Sequence, residues 1–522
     1  MTALSAPLHP WFPLRAAGID IGSNAMRFIA AEFSSPTRFQ VLESKRVPVR
    51  LGASVFRDGR LDPKALAASL RALAFFRRRL QALQITHYRA IATSAVRESK
   101  NRRDFLRLAE ERLKLAVDVV SGSEEARLVV RAVRQLQPLG SKPWLVMNLG
   151  GGSLELCLAD QDRIHWSESH TLGTVRLLAE LGAPHQPPQN LQRLVKDYLK
   201  PLRTALTKAS RPLAGIVATG GNSEVLARLA GAPQLRPGMR VLRLNALGAI
   251  TRRLARLTVE QRIRTLGLRP DRADVILPAA LVHDRIGRLG GKRQILVSDW
   301  GTKEGLLLDV VARLFPDERH DQEREQELFR AALALGRHYR IDEAHCRQVT
   351  RLAMSIFEQL RSLHQLRRDD GRLLMAASLL HDVGGFVSLK KHHKHSLYLV
   401  LQSELPGCTE SDMLMIANVA RYHRKSHPQL RHEHFARLSS DDQRRVAVLA
   451  SLLRLADALD RDHTQNVRAA AARIEKNALV LSLEGRRIRP LEVWSLKRKA
   501  RLFTDLFGYP VRLEYLGRPI HG

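Results

Sequence analysis

A glycine turn between two apolar strands occurs twice in the chain, and this repeat constrains the fold more than any other feature. The first copy reads IDIGSNAMRF from residue 19, and the second reads MNLGGGSLEL from residue 147. The two turns lie about 128 residues apart, in a region of alternating strand-like and helix-like segments. The repeat predicts an α/β fold with a duplicated lobe, in which each copy places one turn against a common cleft.

Both turns are candidate phosphate-binding sites. Consecutive backbone N–H groups in a glycine turn form a concave nest for phosphate oxygens, and a Cβ there would block the approach. For either copy alone a plain hairpin is the alternative, but two copies at matching positions favour phosphate. The candidate phosphate ligands are Gly22, Ser23, Asn24, Gly150, Gly151, Gly152 and Ser153. Asp20, just before the first turn, is a candidate magnesium ligand, directly or through water.

The charge balance indicates an anionic partner. The 522 residues include 85 Lys and Arg against 52 Asp and Glu, a net charge of +33. Such a surplus favours nucleic acid, an anionic membrane or a phosphate-rich compound. We expect no membrane span and no secretory leader, because no apolar stretch reaches the ~18 residues a span needs and the first residues lack an apolar core. Three widely spaced cysteines fit a reducing cytoplasm.

A pair of glutamates opens a predicted helix at SGSEEAR, residues 121–127. Ser121 and Glu124 fit a capping box, which accounts for one glutamate. Glu125 is not needed for that box. At the mouth of an α/β cleft it could polarise an attacking water, although a solvated glutamate at a helix start would look the same.

Seven segments together resemble the Ppx/GppA phosphatases, the exopolyphosphatase and guanosine pentaphosphate phosphohydrolase group of the actin-like ATPase superfamily. In order they cover nearly all of residues 15–310, and SGSEEAR paired with GGGS is the most specific combination. The segments are GIDIGSNAMR (18–27), ATSAVRESKN (92–101), VVSGSEEARL (119–128), NLGGGSLEL (148–156), LGTVRL (172–177), ATGGNSEVLA (218–227) and SDWGTKEGLL (298–307).

The resemblance implies two actin-like lobes and a phosphohydrolase that removes the terminal phosphate of inorganic polyphosphate or guanosine pentaphosphate. Glu125 would orient and deprotonate the attacking water, and Arg97 would face phosphate charge. Asp20 and Glu155 would help to position Mg²⁺. Because phosphoryl transfer needs mainly positioning and charge neutralisation, these parts suffice. The resemblance also suggests a cytoplasmic homodimer.

Asn148 departs from the family pattern, which usually has Asp before the second glycine turn. Asn keeps the shape of Asp but loses the charge, so a direct magnesium contact at this position would weaken. A lesser departure is Lys303 where relatives often have Arg, because Lys lacks the bidentate fork of a guanidinium. A polyanion- or nucleotide-binding regulator with an impaired site is therefore an alternative to the enzyme.

The chain changes character near residue 318. An acid-rich linker (PDERHDQEREQE, 316–327) is followed by helical periodicity to about Ala470, with almost no strand signal until Leu479. Fourteen of the 20 histidines lie from His320 onward. We therefore divide the chain into a first lobe (1–134), a second lobe (135–317) and a mainly α-helical C-terminal domain (318–522).

The histidines of the last domain suggest a metal site. His381 and Asp382 end an apolar helix and could ligate one ion, with His345 and Asp457 as further candidates. The order H…HD…H…H…D, in which His393, His395 and His423 were also candidates, resembles HD-domain metal-dependent phosphohydrolases. That resemblance implies an HD-like domain with a second divalent metal. Buried core histidines, or a basic phosphate-facing loop at KKHHKHS (390–396), would explain the same residues without metal.

Three functions remain open from the sequence. The first is the magnesium-dependent phosphohydrolase, the second is the regulator with an impaired first site, and the third is metal phosphohydrolase chemistry in the HD-like domain. A sugar kinase fits less well, because SGSEEAR matches the phosphatase branch. Nucleic acid is the competing polyanion, but aromatic residues are few and the chain has no RNP-type aromatic motif or zinc finger.

Overall fold

The computed structural model describes residues 12–180, 188–200, 212–315, 318–485, 490–515 and 518–519. The chain divides into two compact units, Met1–Asp321 and Gln322–Gly522. The border between them lies a few residues after the boundary that the acid-rich linker suggested. Within the described residues, no helix is both long enough and apolar enough to cross a membrane.

Two mixed β-sheets form the centre of the first unit. The strands of the first sheet are β1 (Leu14–Ile21), β2 (Met26–Ser35), β3 (Arg38–Val47), β4 (His87–Ala92) and β5 (Asp118–Val119). The strands of the second sheet are β6 (Trp144–Leu149), β7 (Leu154–Ala159), β8 (Ile164–His170), β9 (Ile216–Thr219), β10 (Gln234–Arg236), β11 (Met239–Arg243) and β12 (Gln294–Ser298).

The two sheets repeat one topology. The first has the order β3-β2-β1-β4-β5, and the second contains the equivalent order β8-β7-β6-β9-β12, extended by β11 and β10. In each, the first three strands are antiparallel and the next two join in parallel. Each glycine turn connects the first two strands of its sheet. The predicted α/β fold with two actin-like lobes is confirmed.

Helices cover both sheets. Those of the first unit are α1 (Gly52–Asp58), α2 (Pro63–Ala82), α3 (Ser94–Glu98), α4 (Arg102–Leu113), α5 (Gly122–Leu136), α6 (Thr174–Glu180), α7 (Pro188–Tyr198), α8 (Gly221–Leu229), α9 (Leu244–Arg256), α10 (Val259–Leu266), α11 (Pro270–Ala273), α12 (Ile276–Leu289) and α13 (Thr302–Leu314).

Two helices each pack on the sheet of the other lobe. α5 follows the first sheet in sequence, yet its Val129, Val130 and Val133 pack on β6 and β7 of the second. α13 follows the second sheet, yet it packs on β1 and β2 of the first. The two helices also touch, because a Cβ on Gly305 would lie 1.9 Å from the Leu128 carbonyl oxygen. The helix that carries Glu125 therefore lies at the junction of the lobes.

The second unit is mainly helical, as predicted. Its helices are α14 (Glu318–His338, which begins at the end of the first unit), α15 (Glu343–Gln359), α16 (Arg361–His364), α17 (Arg368–Leu380), α18 (His392–Leu401), α19 (Glu410–Arg421), α20 (Glu433–Ala436), α21 (Ser440–Ala458), α22 (Pro490–Lys499) and α23 (Arg501–Phe507), with a 3₁₀ turn at Val383–Phe386. Its strands are β13 (Val467–Glu475), β14 (Ala478–Gly485), β15 (Val511–Tyr515) and β16 (Arg518–Pro519).

β13 corrects the expectation of helix to about Ala470. The segment is rich in alanine, which favours helix by itself, but it pairs antiparallel with β14 along its length. Val467, Ala470 and Ala472 are buried in the core of the unit, so packing and strand pairing override the local preference.

Candidate functional site

The two glycine turns form the floor of one cleft in the first unit. The turn of residues 22–25 joins β1 to β2, and the turn of residues 150–153 joins β6 to β7. A Cβ on Gly152 would lie 2.2 Å from the Ser94 hydroxyl oxygen and 2.7 Å from that of Ser23. Only glycine therefore permits this close approach of the turns. Of the eight predicted phosphate-binding residues, the seven in the turns line the cleft and Arg97 does not.

Further backbone donors surround these turns. α8 and α13 both begin at the cleft, where Gly220, Gly221, Gly301 and Thr302 line it. Gly220 has φ +94°, which favours glycine. The first N–H groups of a helix carry partial positive charge, so two helix starts and two turns direct donors into one space. The arrangement suits a ligand with several anionic oxygens.

Glu125 lies in the first turn of α5, with only 6% of the residue exposed. The side-chain amide of Asn148 donates to its Oε1 at 3.2 Å, whereas its buried Oε2 has no hydrogen-bond partner. Burial, together with the charges of Glu155 and Asp20, raises the pKa of Glu125 well above its usual value. The side chain is therefore a strong base with one unoccupied oxygen at the cleft.

Asn148 connects Glu125 to Glu155. Its Nδ2 donates to Glu155 Oε2 at 3.1 Å as well as to Glu125, and its Oδ1 accepts from the Thr219 hydroxyl at 3.2 Å. Burial raises the pKa of Glu155 to about 6. The two N–H groups of one amide thus hold a pair of buried carboxylates, a role that the Asp usual in relatives could not perform in this way.

Asp20 and Arg27 form an ion pair that sequence reasoning missed. The Arg27 guanidinium donates to Asp20 Oδ2 at 2.8 Å, because the two residues are cross-strand partners in the β1–β2 ladder. Both line the cleft. The hairpin register of GIDIGSNAMR was the signal that could have revealed this pair.

Arg97 lies beside the cleft and is absent from its described lining. Its Nη1 donates to the Val120 carbonyl oxygen at 2.7 Å, yet its charge is close enough to oppose the rise in the pKa of Glu125. This contact uses one of the five N–H donors of the guanidinium.

Most of the far wall of the cleft was also missed, although its residues lie in the segments quoted above; only Lys303 was singled out from the sequence. It comprises Glu224 in α8 together with Asp299, Lys303 and Glu304 around the start of α13. Lys303 Nζ lies 2.5 Å from Glu304 Oε1, and burial and the charge of Asp299 raise the pKa of Glu224. Lys303 is therefore already paired with a carboxylate.

A buried ion-pair network surrounds Glu124 and Arg127, the neighbours of Glu125 on α5. Arg127 of α5 bonds Glu124 Oε2 and Asp309 Oδ1, both at 2.6 Å, and Arg89 of β4 bonds the same two acids. Ser121 caps α5 by accepting from the Glu124 N–H, as predicted, but the Glu124 carboxylate joins the network. The network ties α5 to α13 and fixes where α5 begins.

The second unit contains a cluster of histidines and aspartates. All four metal ligands predicted there are brought together, and three further histidines, two of them missed, join them. The seven residues are His345, His381, Asp382, His392, His423, Asp457 and His463. His423 was a candidate from the sequence, but His392 takes the place expected for His393 or His395. His392, His393 and His395 all lie in the first turn of α18, and the sequence alone does not show which of them faces the cluster.

The imidazoles of this cluster are held in one tautomer. The Nδ1–H groups of His381 and His423 donate to the carbonyl oxygens of Ser378 and Ala420, both at 2.7 Å. That of His345 donates to Asp460 Oδ2 at 2.8 Å. The Nε2 of His381 and of His423 therefore presents a lone pair to the cluster, the arrangement typical of metal-ligating histidines. Burial opposes protonation of His345, but its hydrogen bond to Asp460 and the charges of Asp457 and Asp382 raise its pKa. Burial lowers the pKa of His381 and His423, which keeps them neutral.

Two family models match the chain. The model described as the Ppx/GppA phosphatase family matches residues 29–314, and the model of Ppx/GppA phosphatase domain III matches residues 329–499. The first covers the second glycine turn, Glu125 and Asn148, and the second covers the seven-residue cluster.

Curated relatives match along nearly the whole length. A guanosine-5'-triphosphate,3'-diphosphate pyrophosphatase of Photobacterium profundum is 27% identical over 516 residues, 97% of this chain and 99% of the relative. One of the same description from Vibrio vulnificus is 26% identical over 512 residues, 96% and 98% of the two chains. Among solved structures, an exopolyphosphatase from Cytophaga hutchinsonii has a TM-score of 0.54 at 24% identity, covering 58% of this chain and 99% of that chain, which supports the fold.

Proposed function

The chain belongs to the Ppx/GppA phosphatase family, and from that premise we propose that its first unit hydrolyses the terminal phosphoanhydride bond of guanosine pentaphosphate, of inorganic polyphosphate, or of both, with Mg²⁺. The observation that carries the proposal is Glu125, whose buried Oε2 has no hydrogen-bond partner and whose pKa is raised. Glu125 lines the same cleft as the two glycine turns.

In this proposal the turns and helix starts hold the terminal phosphate through backbone N–H groups. Glu125 accepts a proton from a water molecule as the water oxygen bonds to the terminal phosphorus, and the bond from that phosphorus to the bridging oxygen breaks. Because its pKa is raised, Glu125 is a better base than an exposed glutamate once it is deprotonated. Arg27 and the nearby Arg97 add positive charge.

Two carboxylates near Glu125 are the proposed ligands of a magnesium ion: Asp20 lines the cleft, whereas Glu155 is buried and lies outside its described lining. Glu125 and Glu155 are held close together by one amide, and the charges of Glu155 and Asp20 add to burial in raising the pKa of Glu125. Such a cluster is relieved by a cation with oxygen ligands, which Mg²⁺ prefers. Asp20 and Glu155 would hold it, with Asn148 Oδ1 engaged by Thr219. When bound, Mg²⁺ supplies charge that neutralises the terminal phosphate oxygens.

The substrate is proposed from relatives and from charge. The curated relatives that match nearly the whole chain carry the guanosine-pentaphosphate name, and a net charge of +33 suits either polyanion. A phosphate-release assay on the purified full-length protein tests this. We expect release from guanosine pentaphosphate or polyphosphate that requires Mg²⁺ and is abolished by EDTA, and little from p-nitrophenyl phosphate with Mg²⁺. Absence of release from both polyanions would reject the proposal.

The second candidate function, a regulator with an impaired site, is motivated by Asn148. The variant Asn148→Asp distinguishes the enzyme from the regulator. It removes the two N–H donors that hold Glu125 and Glu155 and adds a third carboxylate beside them. For an enzyme, we expect this variant to lose about 1–3 kcal/mol of stability without divalent ions, to regain it with Mg²⁺, and to keep phosphate release within about tenfold. Thermal unfolding and phosphate release at saturating Mg²⁺ are measured together.

The exposed substitution Asn477→Asp, in the β13–β14 hairpin, serves as the matched control and should change neither quantity. A wild-type protein that binds guanosine pentaphosphate without turnover, together with a gain of about 100-fold or more in Asn148→Asp, would instead support the regulator.

A further inference from the structure

The start of α6 holds the carbonyl side of the second glycine turn. The backbone N–H groups of Thr174 and Val175 donate to the carbonyl oxygens of Gly150 and Gly151 at 3.1 and 2.8 Å, and the Thr174 hydroxyl also donates to Gly150. Gly173, just before α6, permits this crossing, because a Cβ there would lie 2.3 Å from the Gly151 carbonyl oxygen. Two carbonyl groups of the turn are thus engaged by α6.

Arg176 engages the third carbonyl group. Its Nε donates to the Gly152 carbonyl oxygen at 2.8 Å. Because the C=O and N–H of one trans peptide point in opposite directions, the Ser153 N–H is turned away from Arg176. Gly152 and Ser153 line the cleft, whereas Arg176 is absent from its described lining. Arg176 therefore contacts the turn on the side away from a bound ligand.

A glycine turn needs such a restraint. Glycine has no Cβ and adopts φ of either sign, so a peptide group that follows a glycine can rotate with little steric cost. A rotated peptide would present its carbonyl oxygen instead of its N–H to the cleft. An oxygen repels phosphate where an N–H attracts it. The contacts from α6 therefore select the orientation of the turn that suits an anion.

The first lobe holds the rest of the Arg176 guanidinium. Its Nη2 donates to the two carboxylate oxygens of Glu98 at 2.6 and 2.7 Å. Its Cζ lies 4.1 Å from the centroid of the Phe56 ring, within the range of a cation–π contact. Phe56 lies in α1 and Glu98 ends α3, both in the first lobe. The same ring also abuts the turn, because a Cβ on Gly152 would lie 2.4 Å from Phe56 Cζ.

These three contacts need a guanidinium. Nε bonds the turn, Nη2 bonds Glu98 and the face of the group lies on Phe56, so the planar fork is fixed in one orientation. Only 12% of the Arg176 side chain is exposed, so water competes little for the contacts. A Lys ammonium has one nitrogen and no planar face, and it would lose at least one of the three.

We propose that Arg176 is a positioning residue that holds the second glycine turn in its phosphate-binding orientation, through contacts that exist only while the two lobes meet at Glu98 and Phe56. The inference rests on the proposed function, because it takes the terminal phosphate as the ligand of the turn. Binding of phosphate and contact between the lobes are then linked, since whatever separates Glu98 and Phe56 from Arg176 also frees the Gly152 peptide to rotate.

The kinetics of phosphate release at saturating Mg²⁺ test this role. We expect Arg176→Ala and Arg176→Lys to raise KM for the polyphosphorylated substrate by about 10–100-fold, the loss of one charge-assisted contact, while kcat stays within about threefold. Arg107→Ala, which breaks the exposed Arg107–Glu111 pair of α4, is the matched control and should change neither constant. An unchanged KM in Arg176→Ala, a wild-type KM in Arg176→Lys, or a kcat that falls as far as KM rises overturns the assignment.

A double-variant cycle and a chemical rescue separate positioning from a general loss of structure. Glu98→Gln should raise KM less than Arg176→Ala, and the double variant should be no worse than Arg176→Ala alone, because Glu98 acts through Arg176. Added methylguanidinium should lower the KM of Arg176→Ala toward the wild-type value. Additive effects in the double variant, or no rescue in a variant that keeps the wild-type thermal midpoint, contradict the positioning role.

Failure of this inference is distinguishable from failure of the proposed function. Wild-type phosphate release with a KM that Arg176→Ala leaves unchanged rejects only the positioning role. If the wild type releases no phosphate, calorimetric binding of inorganic tripolyphosphate still tests the turn. Its affinity should fall about 10–100-fold in Arg176→Ala and stay unchanged in Arg107→Ala. Equal affinity in wild type and Arg176→Ala, or no binding by either, overturns the inference.

Discussion

Glu125→Gln should lower phosphate release from polyphosphorylated substrates by about 10²–10⁴-fold at saturating Mg²⁺, the usual contribution of a positioned general base. Gln keeps the shape of the side chain and the contact with Asn148, but it cannot take a proton from water. The measurement is single-turnover phosphate release by wild type and variant. Substrate binding should change far less than the rate, because the backbone donors of the turns are untouched.

The same variant should not unfold the protein. Glu125 is a buried acid beside Glu155 and Asp20, and its raised pKa means that holding it ionised costs stability. Replacing it with a neutral amide should leave the thermal midpoint equal or higher. Glu110→Gln on the exposed face of α4 is the matched control, with neither effect expected. A large loss of stability in Glu125→Gln, or release within threefold of wild type, would contradict the assignment of Glu125.

The pH dependence follows from the same group. A base works only when deprotonated, so kcat/KM should rise with pH through the apparent pKa of Glu125, which lies well above 4.5. A rate already at its maximum at pH 5 would show that no group of raised pKa controls the reaction.

Asp309→Asn should destabilise the first unit by about 3–5 kcal/mol, the cost of breaking one partner of a buried ion network. Asp309 is 1% exposed and accepts from Arg127 at 2.6 Å and from Arg89 and Arg313 at 2.9 Å. Burial alone would raise its pKa, but these arginines hold it well below its usual value. Asn keeps the shape but removes the charge, so Arg127 and Arg89 share only the buried counter-charge of Glu124.

Calorimetry can follow this effect in the unit that contains the network. A loss of 3–5 kcal/mol corresponds to a fall of ~4–7 °C in the midpoint of a unit that ends at Asp321, because the unfolding entropy is about 2.1 cal/mol/K per residue. The control is Glu111→Gln, which breaks the exposed Arg107–Glu111 pair of α4 and should shift the midpoint by under ~1 °C. Equal shifts in the two variants would show that the buried network does not stabilise the junction of α5 and α13.

The sequence predicted the floor of the cleft because glycine turns leave a local signature. Gly22–Asn24 and Gly150–Ser153 stand between apolar strands, and their spacing alone indicated two lobes. Asn148 was recognised as a departure, but its bonds to Glu125 and Glu155 depend on β6, β7 and α5 meeting across the lobes. The spacing of residues along the chain does not show that these elements are in contact.

The remaining differences have the same origin. α5 belongs to the first lobe by position in the chain but packs on the second sheet, since α5 and α13 exchange sheets. His392 rather than His393 faces the cluster because helix phase decides between adjacent residues. The alanine-rich β13 was read as helix because alanine favours helix, whereas it pairs with β14 in a hairpin and is buried in the core of the unit. In each case packing or strand pairing overrides a local preference.

The most direct test of the central claim, water attack on a terminal phosphate assisted by Glu125, is hydrolysis of guanosine pentaphosphate in H₂¹⁸O with Mg²⁺. Attack at the terminal phosphorus predicts one ¹⁸O atom in the released orthophosphate, none in the nucleotide product, and no labelled phosphate from Glu125→Gln above background. Label in the nucleotide, or labelled phosphate formed equally fast by Glu125→Gln, would contradict the account.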